Sequence, residues 1–329
     1  MSKPILITGA TGFLGKHLVE FLRARPVCPP LRIFSFGPCV WEGWEGFETV
    51  EGDICDASQV HRAMEGCGQV YHLAGIVSRD PRDRQRLFDI HVGGTRNVCE
   101  AALKHRPEKI VCVSSSGTIA VSRKPEILDE TADYPLELIR HWPYYASKTE
   151  AERLALDFVR RHGLPIVVAN PGLLLGPGDE MGSSTGDIAL FLEGQVMALP
   201  AGGMCFVDAR DAAMGLLLAM DRGRIGERYL LGGPNWSFRE IIERVALLSG
   251  RRAPKLQIPL GAALWSARIL RLLMPLVGRE FKMDDETIRM SAHYWYFTSA
   301  KAERELGFKA RDPMETLRVT VEEVLARRP

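Results

Sequence analysis

Two stretches carry residue types suited to moving a proton. Residues 143–152 read PYYASKTEAE, which puts Tyr144 and Tyr145 four and three residues ahead of Lys148. On a helix, either tyrosine lies near the lysine. A free phenol has a pKa of about 10, too high for base work near neutrality, and a neighbouring ammonium is expected to lower it. Such a phenol exchanges a proton with a substrate hydroxyl or carbonyl. A second hydroxyl must hold the substrate oxygen, and VSSSGT (113–118) offers several at the end of an apolar run. Spacing alone leaves both tyrosines eligible.

These residues need a scaffold, and the first half of the chain supplies one. Short apolar runs at 4–9, 31–36, 47–53, 69–75, 109–116 and 164–171 read as strands. Helical patterns at 12–25, 58–66, 92–105 and 143–163 separate several of them, with Pro143 suited to a first helical position and Gly163 to a cap. Near-continuous apolar strands in a βαβα rhythm predict a parallel, doubly wound sheet with helices on both faces. After Pro171 the texture changes. A glycine-rich loop (172–187) leads to a strand and helix (206–220), a strand (227–233) and a capped helix (237–250). The expected fold class is α/β: a Rossmann-type domain over 1–171, with 206–233 returning to it. A smaller, partly interleaved substrate domain is expected over 172–205 and 234–329.

TGATGFLG (8–15) spaces glycines at 9, 12 and 15 between a strand and a helix. Glycine there lets the backbone turn tightly and approach a pyrophosphate, whose charge sits on the helix N-terminus. A dinucleotide site is predicted. NAD and NADP are told apart by an acid or a base at the end of the second strand. That segment, FSFGPCVW (34–41), has neither, so the choice stays open.

Composition removes several classes. Forty-two Lys+Arg against 41 Asp+Glu leave a net charge of +1, with no overall pull toward nucleic acid. The seven cysteines form no metal-binding spacing, so no metal site is expected, and their odd, scattered pattern suits a reducing compartment. The N-terminal apolar run is too short for a signal peptide, and no run of about 20 apolar residues occurs. A cytoplasmic protein without stable membrane insertion is expected. Residues 260–278, LGAALWSARILRLLMPLVG, read as a pocket wall, a lid or core, with a membrane-surface helix as the other reading. The tryptophans of 40–46 read as a loop packing on itself, and RDPRDRQR (79–86) as a solvated charge run.

The motifs together resemble the extended (atypical) short-chain dehydrogenase/reductases, the NAD-dependent epimerase/dehydratase family, along nearly the whole chain. They are TGATGFLG, GDICD (52–56), HLAG (72–75), GGTRNVCEAA (93–102), VSSSGT, YYASK, ANPGLLLGPGD (169–179) and FVDARDAA (206–213). The C-terminal half resembles the branch of dihydroflavonol-reductase-like, 3β-hydroxysteroid-dehydrogenase-like and hopanoid-associated proteins. The resemblance implies a catalytic set of Ser116, Tyr144 and Lys148, with Ser115 and Thr118 as alternatives to Ser116. It implies NAD or NADP held at the pyrophosphate by Gly9, Thr11, Gly12, Phe13, Leu14 and Gly15. Asp53, Ile54, Leu73, Ala74 and Gly75 would flank the adenosine side. Ser114, Tyr144, Lys148, Pro171 and Gly172 would border the nicotinamide and its ribose.

His91 stands where the family usually has asparagine, and reads as a packed, hydrogen-bonded histidine. Gly117-Thr118 replaces the Asp–Glu pair of 4,6-dehydratases, and IAVS (119–122) replaces the Tyr-Gly of many nucleotide-sugar epimerases. The resemblance thus implies an oxidoreductase interconverting a carbonyl and a secondary alcohol on a small, partly apolar substrate. A sugar or nucleotide-sugar epimerase and a non-catalytic dinucleotide sensor are the alternatives. A homodimer through helices 92–105 and 143–162 is implied by the family alone.

Overall fold

A computed structural model describes residues 2–278 and 280–327, Val277 by its backbone only. In chain order the first half comprises β1 (Ile5–Thr8), α1 (Phe13–Arg23), β2 (Leu31–Ser35), β3 (Phe47–Glu51) and α2 (Ala57–Met64). It continues with β4 (Gln69–His72), α3 (Arg84–Phe88), α4 (Gly94–His105), β5 (Lys109–Val113), α5 (Leu136–Ile139), α6 (Pro143–His162) and β6 (Ile166–Pro171). The second half holds β7 (Leu173–Leu175), α7 (Gly186–Leu192), β8 (Gly203–Asp208), α8 (Ala209–Arg222), β9 (Arg228–Leu231), β10 (Asn235–Ser237) and α9 (Phe238–Ser249). It ends with α10 (Leu260–Leu273), α11 (Asp285–Met290), β11 (Tyr294–Trp295), α12 (Ala300–Leu306) and α13 (Pro313–Ala326).

Seven strands form a parallel sheet in the order β3-β2-β1-β4-β5-β6-β9. Its central strands are apolar because both faces are covered: β1 is buried at all four positions and β6 at all six. One face packs α1, α8 and α12 over Ile5, Ile7, Tyr71 and Val111. The other packs α2, α4 and α6 over Leu6, Val70, Ile110 and Val168. The strand order reverses between β1 and β4, and the crevice beyond their C-terminal ends is where such sheets bind ligands.

A smaller sheet joins β7, β8, β10 and β11. Of residues 206–233, α8 and β9 go with the large sheet, whereas β8 runs in the smaller one. The glycine-rich loop thus contains a strand, β7, whose three leucines pair with Phe206–Asp208. Behind this sheet α7, α9 and α13 enclose a second core that includes Phe191, Leu192, Val245 and Leu317. The helix α9 starts with a full capping box, Ser237 and Glu240 exchanging hydrogen bonds, and ends at Gly250 in the left-handed region.

One expectation holds in part. The apolar helix α10 packs one side into a small core with Phe281 and Ile288, but Ala267 is its one buried residue and none of its residues reaches the central cavity, so it is no pocket wall. No helix among the described residues is long and apolar enough to cross a membrane.

Candidate active site

The end of β1 turns sharply at Gly9, whose φ is +73°, a conformation that favours glycine. A Cβ there would lie 2.7 Å from the Ala74 nitrogen of the next strand end, and one on Gly15 would lie 2.3 Å from the Gly9 carbonyl. The turn therefore packs tightly against both β4 and α1. Gly12 caps α1 without a side chain, and the first turn has no acid. Its backbone N–H groups are left for an anion, and the helix dipole favours one there. This cradle fits the pyrophosphate of a dinucleotide.

One cavity of about 960 Å³ runs from this turn to the smaller sheet. Every residue expected at the cofactor lines it, as do Ser116, Tyr144, Lys148 and the alternative Ser115, whereas Thr118 points to Glu152 instead. Gly9, Thr11, Gly12, Phe13, Leu14 and Gly15 form one stretch of its wall. Asp53 and Ile54 line it with Leu73, Ala74 and Gly75. Asp53 accepts from the Cys55 N–H at 2.9 Å, and Asn97 clamps the Ile54 carbonyl at 2.9 Å. Thr8 Oγ1 accepts from the Ala74 N–H at 3.1 Å, which joins the two strand ends. Ser114, Ser115, Ser116, Tyr144, Lys148, Pro171 and Gly172 complete the wall.

The two tyrosines part company here. Burial pushes the Tyr144 phenol up to about 12, and the neighbouring Ser115 side chain opposes that shift. Tyr145 instead belongs to an aromatic wall, 4.7 Å from the Trp295 ring and 6.3 Å from Trp142 between centroids. Its ring covers Gly117 so closely that a Cβ there would fall 2.1 Å from Cε1. All three serines line the cavity, and Ser115 Oγ accepts from the Gly117 N–H at 3.3 Å. Ser114 turns away and donates to Glu152 at 2.5 Å.

Lys148 does not lower Tyr144 as the spacing suggested. Its ammonium donates to the Val113 carbonyl at 3.0 Å, and burial of the phenol dominates. Burial brings Lys148 itself down to about 8, opposed by Cys112 and Glu152. His91 is buried within a single π-helical turn, Asp89–Gly93, a geometry common near functional sites. Its Nε2 accepts from the Ile76 N–H at 3.2 Å, so Nδ1 carries the proton and donates to Ser147 Oγ at 2.8 Å. Burial and Lys148 hold its pKa at about 2, so it stays neutral. It is a packed and satisfied histidine. Behind Lys148 a cavity of about 20 Å³ touches His72, His91, Ser114 and Glu152, room for one water.

Sequence reasoning missed the support beneath the serines. Glu152, one turn past Lys148, has a fully buried side chain. It accepts from Ser114, from Asn170 at 2.7 Å, from Tyr134 at 3.1 Å and from Arg228 at 3.2 Å. Asn170 also donates to the Ser115 carbonyl at 3.1 Å. The signal was present as the i+4 spacing from Lys148. The charge run at 79–86 hid another contact: Arg79 grips Asp187 through two 2.8 Å bonds and reaches Thr287 at 2.9 Å. This ties the loop after β4 to α7 and α11. Trp142 lines the cavity but His141 does not. Trp41 stacks on Phe47 away from the cavity, as a self-packing loop would. No group of His, Cys, Asp and Glu suited to a metal occurs among the described residues.

The profile of the NAD dependent epimerase/dehydratase family matches residues 5–232. A Synechocystis sp. protein provisionally named dihydroflavonol 4-reductase is 34% identical over 321 residues, covering 93% of this chain and 90% of its own. Sterol demethylase protein B of Methylococcus capsulatus is 33% identical over 310 residues, covering 92% of each chain. Among solved structures, the nucleoside-diphosphate-sugar epimerase PA4631 of Pseudomonas aeruginosa superposes with a TM-score of 0.78 at 26% identity, over 99% of this chain and 98% of that one.

Proposed function

The chain belongs to the NAD dependent epimerase/dehydratase family and is an NAD(P)-dependent enzyme of the extended short-chain dehydrogenase/reductase kind; within it we propose a carbonyl–secondary alcohol oxidoreductase acting on a partly apolar substrate. The carrying observation is that Tyr144, Lys148 and the serines 114–116 line one cavity together with an aromatic and methionine wall. The relatives named for a flavonoid and a sterol agree with an apolar substrate.

A nicotinamide cofactor supplies or takes up the hydride when bound. The residues that would hold it are the Gly9–Gly15 turn, Asp53 and Ile54, Leu73 to Gly75, Lys148, and Pro171 with Gly172. Ser116, the serine the resemblance assigns, lines the cavity beside Ser115 and holds the substrate oxygen. Tyr144 gives its proton to that oxygen in reduction and takes it back in oxidation. With its pKa raised by burial, the phenol is protonated at neutrality, the form a proton donor needs. Lys148 orients a ribose hydroxyl and carries a positive charge below about pH 8. Tyr145, Trp142, Trp295, Met204 and Met290 exclude water from the reacting end and present an apolar face to substrate. The lobe made of 172–205 and 234–329 supplies the last three of these and acts as the substrate cover.

Fluorescence titration with NADH and NADPH, followed by a panel of carbonyls and alcohols read at the nicotinamide absorbance, tests this reading. Binding with turnover on apolar ketones or alcohols is expected. Binding without net turnover on any of them, together with epimerised nucleotide sugar, would replace the oxidoreductase by an epimerase.

A further inference from the structure

The helix α10 has two apolar faces, of which the protein covers one. Ala263, Ala267, Leu270 and Met274 pack inward on Phe281 and Ile288. The opposite stripe carries Trp265, Arg268 and Leu272, with Leu276 just past the helix end. Trp265 is 68% exposed, Leu272 74% and Leu276 80%. A surface helix ordinarily presents polar residues on that side, and one that is apolar all round is covered by something.

Charge identifies the cover. Residues 251–282 hold seven Lys and Arg against one acid, in a chain whose net charge is +1. Arg271 is paired with Asp285 and Lys282 with Glu193. The exposed Arg251, Arg252, Lys255 and Arg268 form no ion pair among the described residues. An apolar stripe with tryptophan, carrying Arg268 and preceded along the chain by three more unpaired cations, has the composition of a helix that lies in a lipid interface.

We propose that the α10 face docks peripherally on an anionic phospholipid bilayer. Trp265, Leu272 and Leu276 enter the boundary between headgroups and acyl chains, while Arg251, Arg252, Lys255 and Arg268 meet the lipid phosphates. The docked face is connected to the cavity. Ile288 of α11 packs under α10, and Glu286 and Met290 of the same short helix line the cavity. Docking therefore holds the α11 edge of the pocket near the lipid, a source of apolar molecules. This inference stands whichever reaction the site performs.

Co-sedimentation of the full chain with vesicles tests it. Vesicles of about one-third phosphatidylglycerol in phosphatidylcholine should bind the protein, pure phosphatidylcholine far less, and high salt should release it. Brominated lipid should quench the wild type and lose most of that quenching in Trp265→Phe. Leu272→Ser with Leu276→Ser should weaken partitioning by about a hundredfold, with the melting temperature kept as the check on folding. Arg251→Glu with Arg252→Glu should weaken binding to anionic vesicles alone. Failure of the intact chain to bind anionic vesicles overturns the proposal. So does vesicle binding that these changes leave untouched. A dimer in sedimentation equilibrium that the leucine changes split, with no vesicle binding, would show a second copy covering this face instead.

Discussion

The two ends of the cavity are built from different materials. At the nucleotide end the wall is mostly backbone: the Gly9 turn, the uncapped start of α1 and the strand end at Leu73 to Gly75. At the substrate end it is side chains drawn from distant segments, Trp142 and Tyr145 of one lobe against Met204, Met290 and Trp295 of the other. A backbone cradle depends on local glycine spacing and recognises a ligand part that never varies. A side-chain wall is free to change one residue at a time, so it carries the specificity. Substitutions at the two ends should accordingly fail in different ways.

The largest effect is expected where the ends meet. Tyr144→Phe should lower hydride transfer by about 10²- to 10⁴-fold while leaving cofactor affinity intact, and Tyr145→Phe should keep most of the activity. Steady-state kinetics beside a binding titration separates these. A fatal Tyr145→Phe with a tolerated Tyr144→Phe would reverse the assignment.

Next comes the support beneath the serines, where the two ends meet. Glu152→Ala strips a buried carboxylate from Arg228, Asn170 and Tyr134, and should destabilise the fold by about 3–5 kcal/mol in denaturant unfolding. A loss below about 1 kcal/mol would mean that the network is not structural.

The nucleotide end should also respond to pH. Lys148 loses its proton at about 8, below its usual 10.5, because burial disfavours the ammonium. Binding of a cofactor whose ribose accepts from that ammonium should be flat below pH 8. Above it, the dissociation constant should rise about tenfold per unit until the pKa of the bound state is reached. The same shift means that the unfolded chain holds more protons between pH 8 and 10.5, so folding stability rises with pH across that window. A pH-independent dissociation constant from 7 to 9.5 counts against Lys148 as a ribose contact.

The smallest effect tests the other end. Arg79→Met cuts the tie between the loop after β4 and the lobe bearing Asp187 and Thr287. It should raise KM for substrate by about three- to tenfold and leave cofactor binding within about twofold, as a change of about 1 kcal/mol in a half-exposed pair would. An equal loss of cofactor affinity would show that the two ends are not independent.

These differences also decide what could be read from the chain before folding. The glycine turn, the buried parallel strands and the Tyr–Lys helix were legible because each depends on residues within a turn or a strand of one another. The short strands β7, β10 and β11 were not, since two or three residues carry no periodicity of their own and form only against β8. The charge run at 79–86 looked solvated because nothing local marks Arg79 as the partner of Asp187, 108 residues away. The apolar α10 looked like core or lid, yet hydropathy cannot tell which neighbour covers a helix, and here the protein covers one side only.

The sequence by itself determined the Rossmann-type α/β class, the family, the dinucleotide cradle and the helix bearing Tyr144 and Lys148, because these rest on short-range geometry. Tertiary structure alone decided that Ser114 turns to Glu152, and that burial rather than Lys148 governs the phenol. Hydrogen-bond direction and desolvation are set by what surrounds a side chain in three dimensions, and no spacing along the chain encodes that.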